Sequence, residues 1–218
     1  MNTKKITVSL LLGVVLIAFF FGMYTYQRKT QDSQDQKVSQ QEGRLVRMHS
    51  PVAGPQNARV TIVEFFDPAC ETCRAFYPIV KDLMSRYPND VKLVLRYAPF
   101  HQGSDEVIRL LEASKRQGKY WEVLESVLGA QPTWADHGRP NLPMAYKAAE
   151  DAGLDLQRAL ADASTPAIAA VLQQDVEDLK ALEVTKTPTF FVNGRGLPSF
   201  GADQLAALVA QEVTKTKK

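Results

Sequence analysis

The chain has 218 residues, of which 45% are hydrophobic and 23% charged, enough to bury one core with an appendage but crowded for two full domains. Its 26 basic and 24 acidic residues leave a net charge of +2. No arginine-rich block is present to neutralise a row of phosphates, which argues against nucleic acid as a partner.

Thr7 to Tyr24 form a run of 18 residues without a charge, which at helical rise extends roughly 27 Å, close to the thickness of a bilayer core. A single N-terminal transmembrane helix is therefore expected, with residues 1–26 as cytoplasmic tip and anchor. The rival is a cleaved signal peptide, but the run ends in Ala18, Phe19, Phe20, Phe21, Gly22 and Met23, which offer no small-x-small cleavage pattern. Lys4 and Lys5 precede it and Arg28 and Lys29 follow it, a slight bias toward an inside amino terminus. Residues 27–43 are polar, with Val38 their single aliphatic member, and read as a linker. Val38, Leu45 and Met48 are too sparse for a convincing coiled-coil seam, although a short oligomerising helix stays open.

From residue 44 onward the pattern is that of an α/β domain. Val60 to Phe66 (VTIVEFF) is β-branched and aromatic and suits a buried central strand ended by Asp67-Pro68. Phe76, Ile79, Val80, Leu83, Met84 and Tyr87 then recur at helical spacing, so a helix is expected over Cys73 to Tyr87, kinked at Pro78. Val91 to Tyr97 supplies a second strand and completes a βαβ unit. Between Ser104 and Leu182 amphipathic segments follow one another with no strand signal, a helical insertion over about 102–182. Thr189 to Val192, a turn at Asn193-Gly194 and a short segment to Phe200 read as a hairpin, followed by a closing helix from Ala202 to about Val213.

The only two cysteines, Cys70 and Cys73, flank Glu71-Thr72 where a strand's exit turn becomes a helix. Unpaired N–H groups and the positive end of the dipole at a helix start stabilise a thiolate, so Cys70 is the expected nucleophile. Cys73, one turn on, lies within reach to resolve a mixed disulfide. A structural bridge closing so short a loop would stabilise little. Zinc would need four ligands, and His49, His101 and His137 show no paired-ligand spacing. Two rivals remain: an extracytoplasmic copper or zinc binding module using the thiolates, and a non-catalytic anchoring domain. No metal or cofactor is expected at a redox site.

Glu64 lies on the strand entering the turn, among apolar neighbours. A carboxylate buried there has a raised pKa and can take the Cys73 proton; a strand-edge acid facing solvent is the alternative. Glu71 and Thr72 are candidate redox-tuning residues, since a carboxylate beside Cys70 opposes the thiolate and makes the pair a milder oxidant. His101, after the segment that leads into the insertion, reads as a surface histidine, with a place lining the active-site face as the alternative, and Trp121 and Trp134 read as core anchors.

The segment VEFFDPACETCRAFYP, with TPTFFVNG far downstream, resembles the thioredoxin superfamily and specifically its DsbA-like branch, from roughly Leu45 to the C-terminus. The resemblance implies a thioredoxin fold with a helical insertion over 44–218, and thiol–disulfide oxidoreductase activity on proteins bearing thiols or disulfides. It also implies that Pro188 is cis and faces the Cys70 sulfur, and that Thr187 pairs with an extended substrate segment. A bacterial inner-membrane protein is implied, its catalytic domain in the periplasm or another extracytoplasmic space and its pair reset by a membrane redox partner. Glu-Thr rather than Pro-His between the cysteines, and the anchor, depart from the best-known DsbA pattern.

Overall fold

A computed structural model of the chain describes residues 16–29, 42–136 and 138–216. Residues 16–29 are a helix (α1) whose large apolar side chains, Leu16 and Phe20 among them, are exposed. Among the described residues no helix is long and apolar enough to cross a membrane. The expected span from Thr7 lies outside the described residues up to position 15, as does most of the 27–43 linker.

The buried apolar runs become strands as expected, β2 over Val60–Phe66 and β3 over Val91–Tyr97, pairing in parallel with Glu64 opposite Leu95. Joining them, α3 (Glu71–Arg86) begins two residues earlier than the apolar periodicity indicates and runs through Pro78. Before them come a short helix α2 (Glu42–Leu45) and a two-residue strand β1 (Val52–Ala53) antiparallel to β3. The insertion consists of α4 (Ser104–Lys115), α5 (Tyr120–Gly129), α6 (Gln131–Trp134), α7 (Leu142–Asp151), α8 (Leu156–Ala163) and α9 (Pro166–Ala181). The chain then returns through β4 (Thr189–Val192), β5 (Arg195–Gly196) and α10 (Ala202–Thr216). Asn193 and Gly194 take positive φ of 47° and 80° in the β4–β5 turn, the conformation that favours this residue pair in a two-residue hairpin.

The sheet order is β1-β3-β2-β4-β5, which places β2 at the centre. Alternation along a strand sends neighbouring side chains to opposite faces. Ile62 and Phe66 join the larger core with Val80 of α3, Leu111 of α4 and Leu205 of α10. Val63 and Phe65 join a smaller core on the other face with Leu45, Val94, Leu179 and Phe191. Leu45 is thus part of the domain interior rather than of any coiled-coil seam. Glu64 shares the face of Ile62 and Phe66, the one α3 covers.

On the smaller core's side a buried ionic cluster fastens the chain's entry into the domain. Arg96, fully buried, lies 2.7 Å from Asp175 and 2.8 Å from Asp178. Arg47 reaches Asp178 and His49 reaches Asp175, each at 2.7 Å.

Candidate active site

The active-site turn runs from Asp67 to Cys70 and feeds directly into α3. Cys70 is the N-cap of that helix, with φ −79° and ψ 120°, and both cysteines are buried free thiols. The Cys70 pKa is lowered to about 5. The strongest cause is a hydrogen bond from the Cys73 thiol; burial opposes it, and the Thr187 hydroxyl and the N–H groups of Cys73 and Thr72 add to the lowering. The helix-start argument is thereby realised through specific donors. Cys73, fully buried, moves the other way: burial, its bond to Cys70 and the negative charges of Glu64 and Cys70 push its thiol well above the usual range.

Glu64 is 1% exposed, and neither carboxylate oxygen has a hydrogen-bond partner among the described residues. Burial first, and the Cys70 charge second, raise its pKa to about 8. The buried-acid reading of Glu64 therefore holds, and the strand-edge alternative does not. A buried carboxyl without a hydrogen-bond partner costs folding energy, and its charge and that of Cys70 act on one another.

From the far end of the insertion, the Thr187–Pro188 peptide bond is cis, and the Thr187 carbonyl oxygen lies 3.4 Å from the Cys70 sulfur. A cleft of about 460 Å³ opens beside it, lined by Pro188, Phe190, Leu197 and Phe200 among others. Phe200, half exposed, packs on Phe76 of α3 with ring centroids 4.8 Å apart. Cys70, Cys73, Glu64, Thr72, Thr187 and Pro188 are thus brought together. Glu71 is exposed in the first turn of α3.

Three further residues surround the turn, of which Asp67 and Gln131 were not assigned to the site from sequence. Asp67 is fully buried. One of its oxygens accepts from Ala69 N at 2.9 Å and from the Ser104 hydroxyl. The other accepts from Phe100 N at 2.8 Å and His101 N at 3.0 Å. Its signal, an acid followed by proline at the end of a buried strand, was read only as a boundary. His101 is a correction: its ring Nδ1 lies 2.7 Å from Asp67 and its side chain is only 25% exposed, so it belongs to this network rather than to open surface. Gln131 of α6 donates through Nε2 to the carbonyls of Pro68, at 2.8 Å, and Cys70, at 3.0 Å. Trp134 is a core residue as expected, fully buried, and Trp121 packs partly buried against the same core. No group of three or more His, Cys, Asp or Glu side chains placed to hold a metal ion occurs among the described residues.

The thioredoxin family model matches residues 47–211. The chain belongs to the thioredoxin family. A thioredoxin-like oxidoreductase from Silicibacter pomeroyi DSS-3 superposes with a TM-score of 0.66 at 30% identity, covering 78% of this chain and 94% of that one. The thiol–disulfide exchange protein alpha-DsbA2 from Wolbachia pipientis gives a TM-score of 0.70 at 17% identity, covering 86% of this chain and 98% of its own, a likeness of fold. In sequence the chain is 33% identical over 146 residues to a Na(+)/H(+) antiporter NhaA from Herminiimonas arsenicoxydans, a match over 67% of this chain and 22% of that protein. The chain thus spans about a fifth of the length of that relative. The family model and the fold agree on a thioredoxin-like domain that carries the Cys70–Cys73 pair at the start of α3.

Proposed function

We propose that the chain exchanges disulfides with extracytoplasmic proteins through a mixed disulfide at Cys70. The observation that carries this reading is a free Cys70 capping α3, 3.4 Å from the Thr187 carbonyl, with buried Cys73 in the first turn and, on the adjoining strand, a Glu64 unpartnered among the described residues. The lowered Cys70 and raised Cys73 pKa agree with it. The Cys70 thiolate attacks a substrate disulfide; a Cys70–substrate bond forms, the substrate bond breaks, and one substrate sulfur leaves as thiolate. Cys70 then no longer carries a charge, which removes one of the causes raising Glu64 and two of those raising Cys73. Glu64 takes the Cys73 proton, the Cys73 sulfur attacks Cys70, and the second substrate sulfur is released. Two electrons pass from the dithiol to the substrate, and the same steps reversed oxidise a substrate dithiol.

The cleft beside Pro188 suits an extended segment that pairs through its main chain with Thr187, just ahead of β4. Residues 7–24 support an inner-membrane anchor that leaves the domain outside the cytoplasm. A membrane redox partner then returns the pair to its working state.

The test is exchange with a model disulfide protein by wild type, Cys70→Ser and Cys73→Ser. Loss of exchange in Cys70→Ser and an accumulating mixed disulfide in Cys73→Ser are expected. Equal rates in all three end the reading.

A further inference from the structure

Gln131 opens α6, deep in the insertion, and is 1% exposed. It sits 61 residues beyond Cys70 and 63 beyond Pro68, yet its carboxamide bonds the carbonyls of both. Its own oxygen accepts from Arg74 Nε of α3 at 2.8 Å. Arg74 can only donate, so the amide oxygen faces α3 and the nitrogen faces the turn; the flipped amide would set an acceptor against two acceptors. The base of this lever is fixed as well. Ala135 N donates to the Gln131 carbonyl at 2.8 Å, and Trp134, fully buried three residues on, donates through its indole nitrogen to Val127 O at 2.9 Å.

The Cys70 carbonyl belongs to the peptide plane that starts α3, since it also accepts the helix's first bond, from Arg74 N at 3.1 Å. The N–H groups of Thr72 and Cys73 that follow this plane act on the Cys70 sulfur, so a shift of the plane would change how they meet it. We infer that Gln131 is a positioning residue of the redox site: the insertion uses its carboxamide to hold the Pro68–Cys70 turn, and so sets how readily Cys70 ionises. This rests on Cys70 being the attacking thiolate. The insertion thereby shapes the chemistry of the cysteine pair as well as the walls around it. Gln131→Met keeps the volume and removes both donors, leaving two carbonyls of the turn without this partner.

The test uses the reduced protein, titrating the Cys70 thiolate by ultraviolet absorbance and equilibrating the pair against glutathione. In Gln131→Met the titration midpoint rises by about one unit, a tenfold loss of thiolate at pH values below both midpoints. The glutathione equilibrium moves toward the Cys70–Cys73 disulfide in the same variant. Arg74→Lys keeps the charge, lacks the Nε donor and moves both readouts the same way by less. Where Gln131→Met does not fold, Arg74→Lys, at an exposed position, decides alone. Unmoved titrations overturn the inference whatever happens to the melting temperature, because packing alone would change stability and leave the thiolate where it was. A wild-type Cys70 titrating in the ordinary thiol range would instead remove the proposed function and leave the clamp a structural feature.

Discussion

The Cys70 sulfur lies 3.4 Å from the main-chain oxygen of Thr187, a residue 117 positions further along the chain. The whole insertion separates them in sequence, and the antiparallel pairing of β4 with β2 closes that gap in space. The Thr187 side chain matters too. After the Cys73 thiol, which is the strongest influence, the Thr187 hydroxyl is the next that lowers the Cys70 pKa. Thr187→Val keeps the shape and removes the donor, so the thiolate titration should move upward by about one unit, the worth of a hydrogen bond to a charged group. A midpoint equal to wild type would show that the hydroxyl does not reach the sulfur in solution.

Glu64 and Cys70 oppose one another in the pH dependence of stability. The Glu64 carboxyl titrates at about 8 when folded against 4.5 as an ordinary side chain. Between those values the folded state holds the extra proton, and stability falls by about 1.4 kcal/mol per pH unit. Cys70 titrates at about 5 when folded against 9.0 ordinarily. The unfolded state now holds the extra proton, so stability rises with pH at a similar slope. The two contributions nearly cancel between roughly pH 5 and 8. Urea denaturation of the reduced protein should therefore be nearly flat there for wild type, rise with pH for Glu64→Leu and fall with pH for Cys70→Ala. Parallel curves for all three would contradict the burial of a titrating Glu64.

How much of this was legible in the sequence follows from the range of each interaction. Val60–Phe66, Val91–Tyr97, the insertion and the Asn193-Gly194 hairpin announce themselves through local period and turn chemistry. So does the site's centre, because the cysteine pair and the acid beneath it lie within ten residues of one another. What escaped is held by long-range partners. β1 is two residues long and exists only through its pairing with β3. Asp67 reads as a strand-ending acid until Phe100, His101 and Ser104 converge on it. Gln131 looks like any polar residue before a proline. The start of α3 was placed late because Glu71 and Thr72 add nothing to the apolar period, although they complete the first turn.

The ionic cluster that fastens the entry of the chain gives a stability prediction. Burial alone would raise the Asp178 carboxyl, but hydrogen bonds from Arg47 and Arg96 outweigh it and hold the pKa below the ordinary range. Asp178→Ala leaves Arg96, fully buried, with one carboxylate fewer. Breaking one side of a buried pair costs about 3–5 kcal/mol, so the urea midpoint should fall steeply in this variant. The sign with pH follows as well. A carboxyl lowered in the folded state contributes above its unfolded value, 3.8 here, and the contribution is lost as pH falls through the folded value. The gap between wild type and Asp178→Ala should accordingly narrow in acid. A constant gap would assign the loss to packing.

Glu71 is the charged residue between the two cysteines. It is exposed in the first turn of α3, one residue from the Cys70 sulfur along the chain. A charge at an exposed position acts on a nearby thiolate through solvent, so a modest effect that salt screens is expected here. Replacing it by histidine removes a repulsive charge and adds a partly cationic ring, which favours the thiolate and hence the dithiol. The reduction potential of Glu71→His should rise by roughly 10 to 30 mV at low ionic strength, and the difference should shrink as salt is added. A rise that salt leaves untouched would point to hydrogen bonding from the imidazole instead of charge, and no rise at all would remove Glu71 from the residues that tune the pair.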